Sequence, residues 1–176
     1  MVPSVEVHGC ALGARRTRAA LYVPTERVDT ISSLRPPGVG EGPTQQVSVE
    51  VTTLDDFAVG HAVAMIDLIK LDVEGGELEV LAGALRVIQY LRPLWLFEAL
   101  DATAAAWQRS GQELIERFRA LDHEVFELTA EGWLQRHVTQ ETYPNISTCN
   151  FLAVPRARLA QVAALRVSVG GMDAGR

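Results

Sequence analysis

Residues 66–84, which read IDLIKLDVEGGELEVLAGA, decide the fold of this chain. The stretch opens within an apolar run that ends in the carboxylates Asp72 and Glu74 and in the pair Gly75-Gly76. Such a run is typical of a buried parallel strand that stops at a functional edge of a sheet. We therefore predict a strand over residues 65–73 with a turn directly after it.

A helix and a second strand are predicted after this turn. From Glu77 to Tyr90 apolar residues recur at helical spacing, and Pro93 prevents the helix from continuing. Residues 94–98, LWLFE, then form a second apolar run with an acid, Glu98, at its end. The alternation of strand, helix and strand predicts an α/β fold with a doubly wound sheet.

Shorter patterns complete the predicted order of elements. The segment 35–43 holds three prolines and three glycines, which predicts an exposed, irregular loop. We expect Trp95 and Phe97 to pack in the core, and Trp107, in a loop after the second strand, to contact a ligand. The other predicted elements are strands at residues 5–10, 19–23, 47–53, 124–128 and 149–154, and helices that begin at Thr53, Gly111 and Arg156.

Three acids fall where a doubly wound sheet binds its ligands. In such sheets the ligand lies beyond the carboxyl ends of the parallel strands, and Asp72, Glu74 and Glu98 are all predicted there. A structural role stays open for Glu74, which could cap the helix at Glu77. Lys70 is expected to snorkel or to pair with an acid rather than to react.

Composition and charge exclude several classes of protein. The 176 residues suit about one domain, and 48% hydrophobic with 22% charged residues is typical of a folded globular chain. A formal charge of −6 argues against nucleic acid or an anionic membrane as a partner. No apolar run approaches the roughly 20 residues of a membrane span, and no signal sequence is recognisable, so we expect a cytoplasmic protein.

The cysteines and histidines do not suggest a metal site. Cys10 and Cys149 are far apart in the sequence, and the four histidines are scattered without metal-ligand spacing. We therefore expect two reduced, partly buried thiols and no bound metal.

Several segments together resemble the C-terminal half of the FkbM-type methyltransferases. They are residues 53–57 (TLDDF), 66–84 and 93–98 (PLWLFE), joined in the family's order by 11–13 (ALG), 32–34 (SSL) and 150–155 (NFLAVP). The resemblance covers roughly residues 5–155. It implies a Rossmann-like class I methyltransferase fold and S-adenosyl-L-methionine as the cofactor. It also implies a small-molecule acceptor, commonly a hydroxyl on a sugar or secondary metabolite.

The resemblance also implies roles for individual residues. Asp72 would lie nearest the methyl group and the acceptor, and Glu74 and Glu98 would bind the acceptor hydroxyl or serve as alternative bases. The residues implied to approach the adenine are Cys10, Ala11 and Leu12.

The chain departs from the family pattern at its start. The family's first strand and its D-x-G-A-N-x-G turn, followed by a ribose-binding acid, are not found in these residues. We therefore expect a partial methyltransferase domain over residues 1–155 that lacks the first two strands of the sheet, followed by a helix and flexible tail over 156–176.

Two consequences are expected from this departure. In the order 3-2-1-4-5-7-6 of class I methyltransferases, the strand at 65–73 would have a bare edge, through which a homodimer could form. The alternative to a methyltransferase is a truncated, inactive fragment that serves as an interaction module or arises from gene calling.

Overall fold

The structure, a computed structural model, describes residues 4–26, 32–36, 42–144 and 150–165. It divides into two compact units, which are described separately. The first unit takes in residues 1–65 and 76–91, and the second takes in residues 66–75 and 92–176. Both contain helices and strands, so the predicted α/β class is confirmed.

The first unit contains a three-stranded sheet in the order β1-β3-β2. Its strands are β1 (Cys10–Leu12), β2 (Thr17–Pro24) and β3 (Thr44–Thr52), with β1 parallel and β2 antiparallel to β3. The strand predicted at residues 5–10 is wrong except at Cys10. Pairing begins only at Cys10, opposite Glu50, so Val5 and Val7 have no strand beside them and are 86% and 91% exposed.

Helix α1 (Leu54–Gly60) begins as the sequence predicts. The Thr53 hydroxyl accepts a hydrogen bond from the Asp56 N–H at 2.9 Å, which satisfies one of the donors left free at a helix start. Helix α1 buries Leu54 and Ala58.

The single helix predicted from residue 77 to 90 is wrong, because it is interrupted at Gly83. Helix α2 (Glu77–Ala82) ends there, and a π-helical segment (Val87–Leu91) ends before Pro93. At the start of this second segment, the Asp55 carboxylate accepts from the N–H groups of Arg86 at 2.9 Å and Val87 at 2.8 Å. The first N–H groups of a helical segment have no acceptor within that segment. Asp55, which is distant in the sequence, supplies the acceptor for two of them.

The second unit contains a five-stranded mixed sheet in the order β4-β5-β8-β6-β7. Strand β4 is parallel to β5, and β8 is antiparallel to both β5 and β6. The first four strands thus follow the 4-5-7-6 order that the resemblance implies. The strands are β4 (Leu68–Leu71), β5 (Leu94–Glu98), β6 (His123–Leu128), β7 (Leu134–Arg136) and β8 (Asn150–Pro155).

Strand β4 is shorter and less buried than the sequence predicts. It covers four residues, of which Leu71 is buried whereas Leu68 and Lys70 are exposed. Among the described residues its strand partner is β5 alone. Strand β4 therefore lies at an edge of the sheet and has a neighbouring strand on one side, whereas a central strand has one on each side.

Helices and an aromatic core pack on this sheet. Helix α4 (Gly111–Ala120) is capped by Ser110 and buries Leu114, Ile115 and Phe118, as predicted. Trp95 and Phe97 are 0% and 1% exposed, so their predicted place in the core is confirmed. The remaining helical elements are α3 (Asp101–Ala105), which was not predicted, and Arg156–Leu165, which is a 3-10 helix.

Several expectations concern cysteines, metals and membranes. The Cys10 side chain is exposed, because it opens a short strand, so its predicted partial burial is wrong. Cys149, residues 37–41 of the predicted loop and residues 166–176 lie outside the described part of the chain.

Within the described part, no group of three or more His, Cys, Asp or Glu residues could hold a metal ion. No helix in the ranges given above has the length and apolar character needed to cross a bilayer.

Candidate active site

The carboxyl ends of β4 and β5 bring two of the predicted acids together. The parallel register pairs Lys70 with Leu96 and Leu71 with Phe97, so one residue further Asp72 follows beside Glu98. Glu98 is in turn the antiparallel partner of Asn150 at the start of β8. Glu98 and Asn150 are paired and therefore share a face of the sheet, and Asp72, the residue directly after β4, completes a polar row with them at this edge.

Lys70 lies on the same face as this row and binds Asp72. Its Nζ is 2.7 Å from Asp72 Oδ2, and the two side chains are 64% and 37% exposed. The hydrogen bond to Asp72, then the charge of Asp72 and, more weakly, that of Glu98 raise the pKa of Lys70 above 10.5. Lys70 is thus an ammonium ion at neutral pH, and its predicted pairing with an acid is confirmed.

The third predicted acid, Glu74, lies in a tight turn after β4. Glu74 has φ +56° and Gly75 has φ +90°, so two successive residues are in the left-handed region. The N-cap of helix α2 is Gly76, so the alternative in which Glu74 occupies the cap position is wrong. Glu74 is partly exposed beyond the end of β4.

Trp107 contacts this turn and does not lie in an open loop. It follows α3, and its indole Nε1–H donates to the Glu74 carbonyl at 3.2 Å. A Cβ on Gly75 would overlap the Thr103 carbonyl oxygen and lie 2.7 Å from Trp107 Cδ1. The segments that follow β4 and β5 are therefore in direct contact.

A polar network anchors the segment after β5. Asp101 Oδ1 accepts from the Gly111 N–H at 2.8 Å, and its Oδ2 accepts from the Tyr143 N–H at 2.6 Å. The Tyr143 hydroxyl lies 2.9 Å from Nε2 of His137. Burial lowers the pKa of His137, and the neighbouring Glu127 opposes that shift.

Sequence reasoning missed Asn150, Asp101, His137 and Tyr143 as residues of this region. Asn150 could have been found, because it opens the NFLAVP segment and carries a polar group at a strand end. Asp101 lies 42 residues from Tyr143 in the sequence, and no local pattern indicates that they pair.

The residues predicted to approach an adenine lie in the first unit. Cys10 is exposed, and Ala11 and Leu12 are half-buried at the end of β1. The chain then turns at Gly13, whose N–H donates to the Thr52 carbonyl at 2.9 Å. The structure places Asp72, Glu74 and Glu98 in the second unit, at and after the carboxyl ends of β4 and β5, and places Cys10, Ala11 and Leu12 in the first unit.

The described residues fit S-adenosyl-L-methionine only in part. The methionine end of such a cofactor is held by open backbone amides of a glycine-rich turn after a strand. Gly75 occupies such a position after β4, but Thr103 and Trp107 fill the space beside it. Of the three residues implied to approach the adenine, Cys10 is exposed, whereas Ala11 and Leu12 are half-buried.

Comparison with known protein families assigns the chain to one of them. Residues 5–125 match the family described as the Methyltransferase FkbM domain. This match covers more than half of the chain, so the chain belongs to the FkbM methyltransferase domain family.

Comparison with solved structures gives a more distant similarity. The crystal structure of methyltransferase FkbM from Methylobacillus flagellatus KT aligns with 84% of this chain at 20% sequence identity, with a TM-score of 0.43. The aligned part is 28% of that protein, so this chain spans well under half of its length. No curated protein matches this chain.

Proposed function

We propose that this chain acts in the S-adenosyl-L-methionine-dependent O-methylation of a hydroxyl group on a sugar or secondary metabolite. Membership of the FkbM family supports methyl transfer. The observation that carries the proposal is the polar row of Asp72, Glu98 and Asn150 at the carboxyl ends of neighbouring strands. This edge is where open α/β sheets bind small molecules.

Each residue of the row has a role toward the acceptor hydroxyl. The cofactor, when bound, supplies an electrophilic methyl group. As the acceptor oxygen gains the methyl group, the methyl–sulfur bond would break and S-adenosyl-L-homocysteine would be the leaving group. The hydroxyl must lose its proton in this step, and the Asp72 carboxylate would accept that proton. Glu98 and Asn150 hold the hydroxyl in place, which contributes through proximity and orientation. The ammonium of Lys70 orients the Asp72 carboxylate.

The proposed adenine contact is the end of β1, through Cys10, Ala11 and Leu12. Because the family's D-x-G-A-N-x-G turn and ribose-binding acid are not found in these residues, we expect the 176-residue chain by itself to bind the cofactor weakly or not at all. Titration calorimetry with S-adenosyl-L-methionine tests this point. A dissociation constant of about 1 μM would show that the chain holds a complete cofactor site.

The proposed reaction is tested by offering methyl-labelled S-adenosyl-L-methionine and a panel of sugars and polyhydroxylated metabolites. The expected product is a methyl ether on an oxygen of one acceptor, identified by mass spectrometry and NMR. Transfer to nitrogen or carbon, or no transfer to any hydroxyl, would contradict the proposal. Asp72→Asn serves as the matched variant, because it keeps the shape of the side chain and removes the base.

A second candidate function, an interaction module, is favoured by the exposed edge of β4. Leu68 is 51% exposed there, and the proposed partner is a second copy of this chain that pairs edge to edge. Light scattering after size exclusion should then show a dimer that Leu68→Lys converts to a monomer. Val138→Lys, at a residue 80% exposed outside the strands, should leave the dimer intact. A monomeric wild-type chain would exclude this candidate.

A further inference from the structure

The turn that presents the acids cannot hold its shape by local preference alone. Glu74 lies at φ +56°, a region that costs a residue with a side chain roughly 1 kcal/mol or more. Such a conformation persists only where surrounding contacts impose it. The groups that hold this turn in its conformation therefore lie among the contacts around residues 72–75.

Trp107 supplies the side-chain contact with the strained residue itself. Its indole N–H donates to the Glu74 carbonyl at 3.2 Å, and its Cδ1 edge faces the position of a Gly75 Cβ. The Thr103 carbonyl closes the other side of Gly75. Only glycine fits between these two groups, so the turn is held by a hydrogen bond and by shape.

The residue that holds the turn is itself firmly anchored. The main-chain N–H of Trp107 donates to the Ala104 carbonyl at 2.9 Å, which holds the backbone that carries the indole at the end of α3. The start of α3 is fixed by Asp101, which binds the N–H groups of Gly111 and Tyr143. Helix α3 and the hydrogen bonds at its two ends therefore connect Gly111 and Tyr143 to Trp107, which binds Glu74.

We propose that Trp107 is a positioning residue whose indole hydrogen bond to the Glu74 carbonyl fixes the turn that presents Asp72 and Glu74 to the acceptor hydroxyl. This inference rests on the proposed function. It replaces the prediction that Trp107 contacts the acceptor with a role that acts through Glu74. The indole N–H is directed at backbone, so it recognises no particular acceptor and sets only the placement of the acids.

The first test measures backbone amide hydrogen exchange at residues 72–75 by NMR. Trp107→Phe keeps an aromatic ring and removes the donor, and it should speed exchange in this turn by about tenfold. Trp133→Phe is the matched control, because Trp133 is 48% exposed and lies between β6 and β7, where its carbonyl accepts from the Thr129 N–H. Unchanged exchange at residues 72–75 in Trp107→Phe would overturn the proposal.

The wild-type protein provides a second measurement in case Trp107→Phe does not fold. The indole proton of Trp107 should exchange with solvent about tenfold more slowly than that of Trp133, because it is hydrogen-bonded. Gly75→Ala, which forces a Cβ against Thr103 and Trp107, should then speed exchange of the same turn. Equal exchange of the two indole protons would overturn the proposal.

Kinetics separate this proposal from the proposed function. With the acceptor that the wild type methylates, Trp107→Phe should lower kcat by about tenfold and leave KM for S-adenosyl-L-methionine within about twofold. A wild type that methylates no hydroxyl would contradict the proposed function, and the exchange data would still decide whether Trp107 holds the turn. Active wild type with an unchanged kcat in the variant would contradict the positioning role alone.

Discussion

The Asp55 carboxylate accepts a hydrogen bond from the backbone N–H of Val87, 32 residues further along the chain, at 2.8 Å. The same carboxylate accepts from the N–H of Arg86 through its other oxygen at 2.9 Å. Val87 is 2% exposed, so water cannot easily replace the bond to its N–H. A residue of the first turn of α1 thus caps the start of the π-helical segment Val87–Leu91.

Replacing Asp55 should therefore destabilise the first unit. Asp55→Ala removes two charge-assisted hydrogen bonds and leaves a buried donor unsatisfied, so we expect a loss of about 2 to 4 kcal/mol in the free energy of unfolding. Asp56→Ala is the matched control, because Asp56 is the exposed neighbour in the same turn and should cost less than about 1 kcal/mol. Urea denaturation followed by circular dichroism compares the two, and equal losses would show that Asp55 acts only as an acid at a helix start.

Replacing Asp72 should affect turnover and leave stability nearly unchanged. Its ion pair with Lys70 is exposed, so Asp72→Asn should change the free energy of unfolding by less than about 1 kcal/mol. Loss of the base should lower turnover by about 100-fold or more. The control Asp122→Asn also loses an exposed ion pair, with Arg156, but at the opposite end of the sheet. Full activity in Asp72→Asn would contradict the assigned role, as would global unfolding of this variant in a thermal melt.

Stability should fall as the pH is lowered below 6.5. Burial lowers the pKa of His123 from 6.5, opposed by its hydrogen bond to the Leu121 carbonyl and by the charge of Asp122. Burial likewise lowers the pKa of His137. The unfolded chain therefore binds more protons than the folded chain below pH 6.5, and the free energy of unfolding decreases as acid is added.

The histidine variants separate this effect from general acid denaturation. His123→Gln should make the change in unfolding free energy between about pH 7.5 and about pH 5.5 smaller than in the wild type. His61→Gln is the control, because it removes a histidine that is exposed and not buried in the core. A wild type that becomes more stable toward pH 5.5 would have the wrong sign.

Asp101 should prove essential to the packing of the second unit. Asp101→Ala removes the acceptors for the Gly111 and Tyr143 N–H groups and should lower the free energy of unfolding by about 2 to 4 kcal/mol. Glu116→Ala removes an exposed acid from helix α4 and should change it by less than about 0.5 kcal/mol. Guanidinium titrations with tryptophan fluorescence measure both. A stable Asp101→Ala protein would show that Tyr143 is held by other contacts.

The elements that could be predicted are those whose signals are local. Strand β5 is an apolar run bounded by Pro93, and the Thr53 cap lies directly before its helix, so both follow from adjacent residues. The end of helix α2 at Gly83 could not be predicted, because the apolar periodicity continues beyond it, while Asp55 caps a new segment from 31 residues away. The spacing of apolar residues does not reveal a hydrogen bond to a carboxylate that is distant in the sequence.

The residues of the candidate site also divide into those that a local sequence signal indicates and those that depend on distant contacts. Asp72 and Glu98 could be placed together because each ends an apolar strand and parallel strands end at one edge. The role of Trp107 could not be predicted, because it depends on a hydrogen bond to backbone 33 residues away. The short strand β7 was missed because three residues are too few to show an alternating pattern.

The place of β8 in the second unit has a consequence for how the protein is made. Strand β8 lies between β5 and β6, although it follows both of them in the sequence. During synthesis on the ribosome, β5 and β6 emerge first and must wait with unpaired edges until residue 155 has left the exit tunnel. Such a nascent chain exposes strand edges that favour association with other chains, which makes the interval before β8 arrives the period in which a chaperone is most useful.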